Sequence, residues 1–449
     1  MAPAREQSPW QISEIRLSFS IQSFSLARGR ALSCLIPALL AVATSHAAAQ
    51  QSLTWDQIKA RFESDNPTLK ADQSSVDEIK AQEITANLRP NPQFGLTADG
   101  TQIAPNKGIW QPLAGTFVVP SVNYLHERDH KRELRLKSAQ QGTQIATSQH
   151  EDLERTLLFT LRSAFVQVLQ AKAIVDLSKQ ELDYYDHIID ICRERFQKGD
   201  LAEIDFDRIE LQRVQYESDL QAADVNLRTS KIQLLQFLDD RTPVDQFDVQ
   251  GPFEFTDRLQ PLDTFHQIAL DNRPDLRAAL QSLQQADTNH KLAIANGSTD
   301  PTLGAWYSWN ASTNNPNADQ TLGLSVSIPL RIFDRNQGEK LRTQIDITRN
   351  QQLADATRAQ VFSDVDSAYA IANSNLILLR PYHDKYIAEA LKVREIVTYS
   401  WQHGGASLMD FLNAQSDYRN VQMAYLQLVG AYLTAASQLN LAVGHEVIQ

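Results

Sequence analysis

The chain has 449 residues, 42% of them hydrophobic and 21% charged, with a formal charge of -12. These values suit a folded protein and speak against nucleic-acid binding, because neutralising phosphates requires clustered Lys and Arg. Of its two cysteines, Cys34 lies in a segment expected to be removed, which leaves Cys192 and no internal disulfide.

In chain order, residues 1–49 read as a signal peptide whose start codon is in doubt. Arg28 and Arg30 precede an apolar run over 31–43, and Ser45, Ala47, Ala48 and Ala49 supply small residues for cleavage. That run is too short to span a membrane as a helix. Residues 53–62 read as a short helix, and Pro67 opens a second one that runs to about Leu88. Phe94, Leu96 and Ala98 alternate as in a strand (93–99), and a second strand is expected over 113–119, ended by Pro120. No proline interrupts residues 124–196, where a long helix of roughly 110 Å is expected. From Leu161 its apolar stripe steps by three and four through Val168, Val175, Tyr185 and Cys192, which is a coiled-coil seam. Gly199 and Asp200 break that helix, and Ile209, Tyr216, Ala223 and Leu234 give its return partner the same spacing. A proline-bearing stretch at 241–261 reads as a linker, and 446–449 as a tail.

Residues 262–445 repeat the plan of residues 50–240. Pro274 answers Pro67, DPTLGAWYSW from Asp300 answers NPQFGLTADG from Asn91, and WQHG from Trp401 answers FQKG from Phe196. Strands are expected at 302–310 and 321–328, with a second hairpin tip at 402–408 answering the first at 197–204. The second long helix carries its seam through Leu376, Leu379, His383, Tyr386, Val393 and Val397, and Pro381 is expected to kink it. The expected fold is mainly α with a small β part, each half being a column of paired helices with a hairpin turn at one end and two strands at the other. Four strands cannot close a barrel alone, and free strand edges invite aggregation, so several chains should share one. Trp110, Trp306, Tyr307 and Trp309 suggest an interface girdle, and the polar loop at 312–319 a solvent-exposed end.

Three motifs carry a family resemblance. They are NP at Asn66 with RPDL at Arg273, IPLRIFDRNQG from Ile328, and WQHGGASLMDFLNAQ from Trp401. With the duplicated order of elements over 52–445, the chain resembles the TolC-type outer-membrane efflux proteins, with wording most similar to the heavy-metal (cobalt-zinc-cadmium) branch. The resemblance implies a homotrimer in outer-membrane lipid, a shared twelve-stranded transmembrane β-barrel, and a long periplasmic α-barrel of coiled-coil hairpins. It also implies docking of the tips on a periplasmic adaptor (a membrane fusion protein) and an inner-membrane pump of the RND type. The implied function is the exit duct of a tripartite efflux system, with no catalysis and no cofactor. A multidrug or type I protein-secretion duct competes within the class. A periplasmic coiled-coil adaptor competes from outside it, although such a scaffold has no need of two aromatic-bearing strand pairs.

By the same resemblance, acidic rings past the second turn form a periplasmic gate. Asp410 matches the first ring position, Asn413 occupies the second without charge, and Asp205 is the counterpart in the first half. The family's basic latch partner is replaced by Ala406. The competing reading of both aspartates is as favourable acids in a helix's first turn. Gly199, Asp200, Gly404, Gly405 and Ser407 are expected at the adaptor-docking tips. HERDH at 126–130 formally matches the H-E-x-x-H of zinc proteases. Its intervening Arg128 and Asp129 do not suit the buried helix such a site needs. No other run of histidines or cysteines has metal-ligand spacing.

Overall fold

The structure is a computed structural model that describes residues 52–448 apart from 114, 257–258 and 310–318. The signal segment with Cys34, and most of the 312–319 loop, lie outside the described residues.

The first repeat opens with a short strand, β1 (Ser52–Leu53), and two helices, α1 (Trp55–Asp65) and α2 (Pro67–Asn87). Two longer strands follow, β2 (Gln93–Asp99) and β3 (Phe117–Leu125), and then the hairpin of α3 (Lys131–Lys198) and α4 (Glu203–Phe237). The linker contributes β4 (Asp248–Val249). The second repeat runs α5 (Leu262–Asn272), α6 (Pro274–Asn296), β5 (Thr302–Trp309), β6 (Gln320–Ser327) and α7 (Gln337–Pro381). It ends with a π-helical turn (Tyr382–Tyr386), α8 (Ile387–Gln402) and α9 (Leu408–Val443).

NP and RPDL turn out to be hooks. Asn66 caps α2 by accepting from Thr68 N and Leu69 N, and its Nδ2 donates to the Phe237 carbonyl at the end of α4. Arg273 stands in the same place in the second repeat and donates to the Ala442 carbonyl near the end of α9, as well as to Asp275 and Asp364. In both halves the residue before proline therefore ties the entry of the second helix to the exit of the return helix. Loss of such a cap costs roughly 0.5–2 kcal/mol, so Asn66→Ala is expected to lower the urea midpoint with its slope unchanged. An unaltered midpoint would remove Asn66 from the set of stabilising contacts.

The linker is not free. Its β4 pairs in parallel with β1, Phe247 and Val249 are buried in the first-repeat core, and Asp248 meets Lys172 at 2.6 Å and Lys231 at 3.1 Å. A stretch without helical period was legible as irregular, but its anchoring was not.

β3 starts later than expected and runs through Pro120 to Leu125, and α3 begins only at Lys131. Pro120 is opposite Leu96 in the β2 ladder, whereas the β3–β5 ladder skips from Val118–Trp309 to Ser121–Trp306. The missing N–H thus opens a gap on the β5 side without ending the strand. Asp129 and His130 both adopt left-handed conformations, at φ 56° and 57°, and turn the chain into α3. HERDH is consequently a turn, and its two histidines do not share a helical face. Glu127 pairs with Arg135, and His126 N donates to the Pro301 carbonyl.

The four long strands form one antiparallel sheet in the order β2-β3-β5-β6. Cross-strand partners share a face. Phe94, Val122, Ala305 and Leu324 line up on one side, as do Leu96 and Pro120, while Tyr307 pairs with Leu322. Ser121, Asn123, Gly304, Thr321, Gly323 and Ser325 occupy the other. The apolar side is bare: Leu324 is 84% exposed, Leu322 77% and Phe94 72%. Tyr307 and Trp309 belong to it, but Trp306 does not, because its indole lies across Gly323 on the polar side, where a Cβ would meet the ring at 2.1 Å.

Along α3 the expected seam is buried at Leu161, Val168, Val175, Tyr185 and Cys192. Burial pushes the Cys192 thiol up to about 11, so it behaves as a core side chain. The second long helix departs from expectation after Pro381. Proline lacks the N–H that Ile377 O would accept, and the chain passes into the π turn. A π turn inserts one residue and rotates the remainder of the helix about its axis. His383 and Tyr386 are accordingly exposed, Val393 is 51% exposed, and the inward positions shift by one to Arg394, Thr398 and Trp401.

Candidate functional site

Two regions lack an ordinary structural explanation, namely the hairpin tips and the bare sheet face. The tips are built alike. Asp200 N donates to Arg195 O and Gly199 N to Phe196 O, while Gly405 N donates to Ser400 O and Gly404 N to Trp401 O. These are paired Schellman closures, and they require the positive φ of Gly199 (83°) and Gly404 (78°). An aromatic stack closes each, Phe196 on Phe206 at 5.3 Å and Trp401 on Phe411 at 4.4 Å.

Asp205 and Asp410 both sit three residues past a helix N-cap. Asp410 is exposed and accepts from Ser407 N at 3.1 Å and Ser407 Oγ at 2.7 Å, while its own N–H donates to Ser407 Oγ. This is a capping box. The Ser407 donors hold the Asp410 carboxyl below its ordinary value. Asp205 is half-buried and lies 3.8 Å from Arg208. Asn413 is exposed one turn further along α9, and Asp200 is exposed at the first turn. Within the chain each aspartate is thus bound to its own hairpin, and a ring of them would have to come from several copies.

Sequence reasoning missed the joint between the hairpins, about two turns from the second tip. Arg394 lies 3.9 Å from the Tyr418 ring and 4.6 Å from the Tyr184 ring, and its Nη1 is 3.5 Å from the buried Glu181. Burial raises the Glu181 carboxyl above its ordinary value and outweighs the pull of Arg394 and Arg419. Arg394 Nε and Gln415 Oε1 are buried without hydrogen-bond partners, so the joint is not fully satisfied. Two more cations pin the hairpins together: Arg419 binds Asp219 at 2.8 Å and stacks on Tyr216, and Arg195 stacks on Trp401. The available signal was Pro381, whose register shift carries Arg394 inward in place of Val393.

A four-stranded sheet with a bare apolar face, a polar opposite face and two free edges defines the wall segment of a membrane β-barrel, carried here on a double coiled coil. The family model described as "Outer membrane efflux protein" matches residues 266–445. The cobalt-zinc-cadmium resistance protein CzcC of Cupriavidus metallidurans is 21% identical over 403 residues, covering 84% of this chain and 87% of that protein. Among solved structures, CusC superposes with a TM-score of 0.72 at 16% identity, over 87% of this chain and 92% of its own. The outer membrane protein VceC of Vibrio cholerae gives 0.70 at 15% identity, over 87% and 96%. The chain is similar to the TolC-type outer membrane efflux proteins in fold, and the family match falls on its second repeat. It is an outer-membrane protein with a large periplasmic part, an exit channel of tripartite efflux, and its four strands are one portion of a barrel shared between copies.

Proposed function

We propose that three copies of this chain form the exit duct for heavy-metal cations, receiving them from a periplasmic adaptor and an RND-type inner-membrane pump. The observation that carries the duct is the bare apolar sheet face backed by a polar one, the alternation of a barrel wall between lipid and a polar lumen. The trimer is supported by a stripe on α4, where Ile204, Leu211, Val225 and Ile232 fall in heptad register, each more than half exposed. That stripe seeks another coiled-coil face, which a neighbouring copy supplies. The metal cargo is supported by the likeness to CzcC across most of both chains.

In this reading Asp205, Asp410 and the uncharged Asn413 surround the periplasmic constriction, where a ring of carboxylates attracts cations. Gly199, Asp200, Gly404, Gly405 and Ser407 form the surface an adaptor grips, and the bend after Pro381 lets the α8–α9 tip tilt. Asp410→Ala removes a carboxylate from the constriction and breaks the capping box, so single-channel conductance in planar bilayers is expected to rise. Unchanged conductance would take Asp410 out of the gate.

The cargo is tested by growth of a deletion strain, with and without the restored gene, on zinc, cobalt, cadmium, copper, bile-type detergents and drugs. Sensitivity confined to metals supports the reading. Broad detergent and drug sensitivity with normal metal tolerance would make this a general duct.

A further inference from the structure

Where the linker crosses α3, the two repeats line an open pocket of about 950 Å3. Small-ligand sites run from roughly 300 to 1,000 Å3. Its walls are apolar at Trp55, Leu158, Phe165, Leu169 and Leu433, contributed by α1, α3 and α9. The chain end forms part of the rim and is held in place, because Asn440 accepts from Val447 N and Ile448 N and donates to the Ile448 carbonyl.

Three arginines and Lys59 line this space together with the carboxylates of Asp56, Glu151, Glu154, Glu254 and Glu446, so what matters is which cation is left without a contacting partner. Arg155 is engaged by Asp152 and the Leu441 carbonyl, and Arg277 by Glu151 and the Ser148 hydroxyl. Arg162 is different. Its guanidinium lies over the Trp55 ring at 4.5 Å and 5.7 Å from the Phe165 ring, and among the described residues it has no ion pair or hydrogen bond. Asp56 and Glu446 act on it only from a distance, and burial holds it below its ordinary pKa. A cation half withdrawn from water without a counter-ion is unfavourable, and stacking on aromatic rings recovers only part of the loss. An oxyanion in the pocket would complete the environment, since the guanidinium fork matches two oxygens side by side.

We propose that this pocket binds a small organic anion with an apolar body, its carboxylate, sulfonate or phosphate on Arg162 and its body against Trp55, Phe165 and Leu433. The proposal is independent of the cargo.

The test is titration calorimetry of the full-length protein in nanodiscs with 2-naphthalenesulfonate and its neutral analogue 2-naphthol, empty nanodiscs serving as the blank. The sulfonate is expected to bind once per chain and 2-naphthol at least about tenfold more weakly, the scale of one charge-assisted hydrogen bond. Arg162→Gln should weaken the sulfonate to the level of 2-naphthol, and Arg162→Lys should fall between. Leu433→Trp fills the pocket and should abolish binding with Arg162 intact, which keeps the test decisive if Arg162→Gln folds poorly. Absence of sulfonate binding to the unaltered protein, equal affinity for the neutral analogue, or undiminished binding to Leu433→Trp would each overturn the proposal.

Discussion

Arg394→Ala is expected to raise the single-channel conductance of the reconstituted protein several-fold and to lower its melting temperature. Arg394 and Glu181 have side chains only 14% and 7% exposed. Removing one partner of such a pair leaves the other buried and uncompensated, which costs about 3–5 kcal/mol. The loss falls on the joint that ties the α8–α9 hairpin to the α3–α4 hairpin, so the tips should part more readily. Glu181→Gln in the same background should restore much of the melting temperature without restoring the conductance, because it removes the stranded charge but not the separation. Glu181 also adds a pH dependence. Its carboxyl titrates above the ordinary 4.5 because burial favours the neutral form. Its contribution to stability is therefore fully present below 4.5 and is lost as pH rises through the raised value. Melting temperature should fall across that window in the unaltered protein and stay flatter in Glu181→Gln. A lower melting temperature with unchanged conductance in Arg394→Ala would mean that the joint holds the fold and does not restrict conduction at the tip.

Leu324→Arg is expected to abolish the heat-modifiable oligomer in outer-membrane fractions, whereas Ser325→Arg, one residue on, should leave it intact and alter ion selectivity. Leu324 is 84% exposed on the apolar side of β6, and Ser325 faces the polar side with Gly304 and Asn123. An arginine facing lipid near the bilayer midplane costs about 2–4 kcal/mol, and every copy in the barrel incurs it. A lumen-facing arginine changes only the field that ions cross. Equal tolerance of both substitutions on gels and in conductance records would contradict the assignment of the faces.

Much of this fold was legible because long helices and two-faced strands have strict periods. The Leu161–Cys192 seam and the alternation of Leu322, Leu324 and Val326 settle face and register locally, and the internal repeat confirmed each element through its counterpart. Three features escaped for physical reasons. Pro120 is compatible with a strand because only one neighbouring ladder needs its N–H, so β3 ran on to Leu125. Asp129 and His130 reverse the chain through left-handed conformations that aspartate and histidine tolerate, a choice no apolar pattern encodes. The π turn after Pro381 shifted the seam by one residue, and that shift hid Arg394 from heptad reading. At the tips the positions of Gly199, Gly404, Asp205 and Asp410 were readable, while the Glu181–Arg394 joint depended on a contact between helices more than two hundred residues apart in sequence. NP and RPDL pointed to the family, yet their work is to fasten helix ends.

The measurement that bears most directly on the shared barrel is cross-linking between the free edges of the sheet. Thr97→Cys on β2 and Ser325→Cys on β6 put one thiol on each edge, and Cys192, the free cysteine among the described residues, is buried. The two edges of one chain lie about 14 Å apart, three strand spacings, so a bismaleimide shorter than that reports only contacts between copies. Treated in outer-membrane vesicles, the double variant should give a ladder of two and three linked chains that stops there. Monomers alone, or a ladder continuing past three, would contradict a barrel closed by three copies.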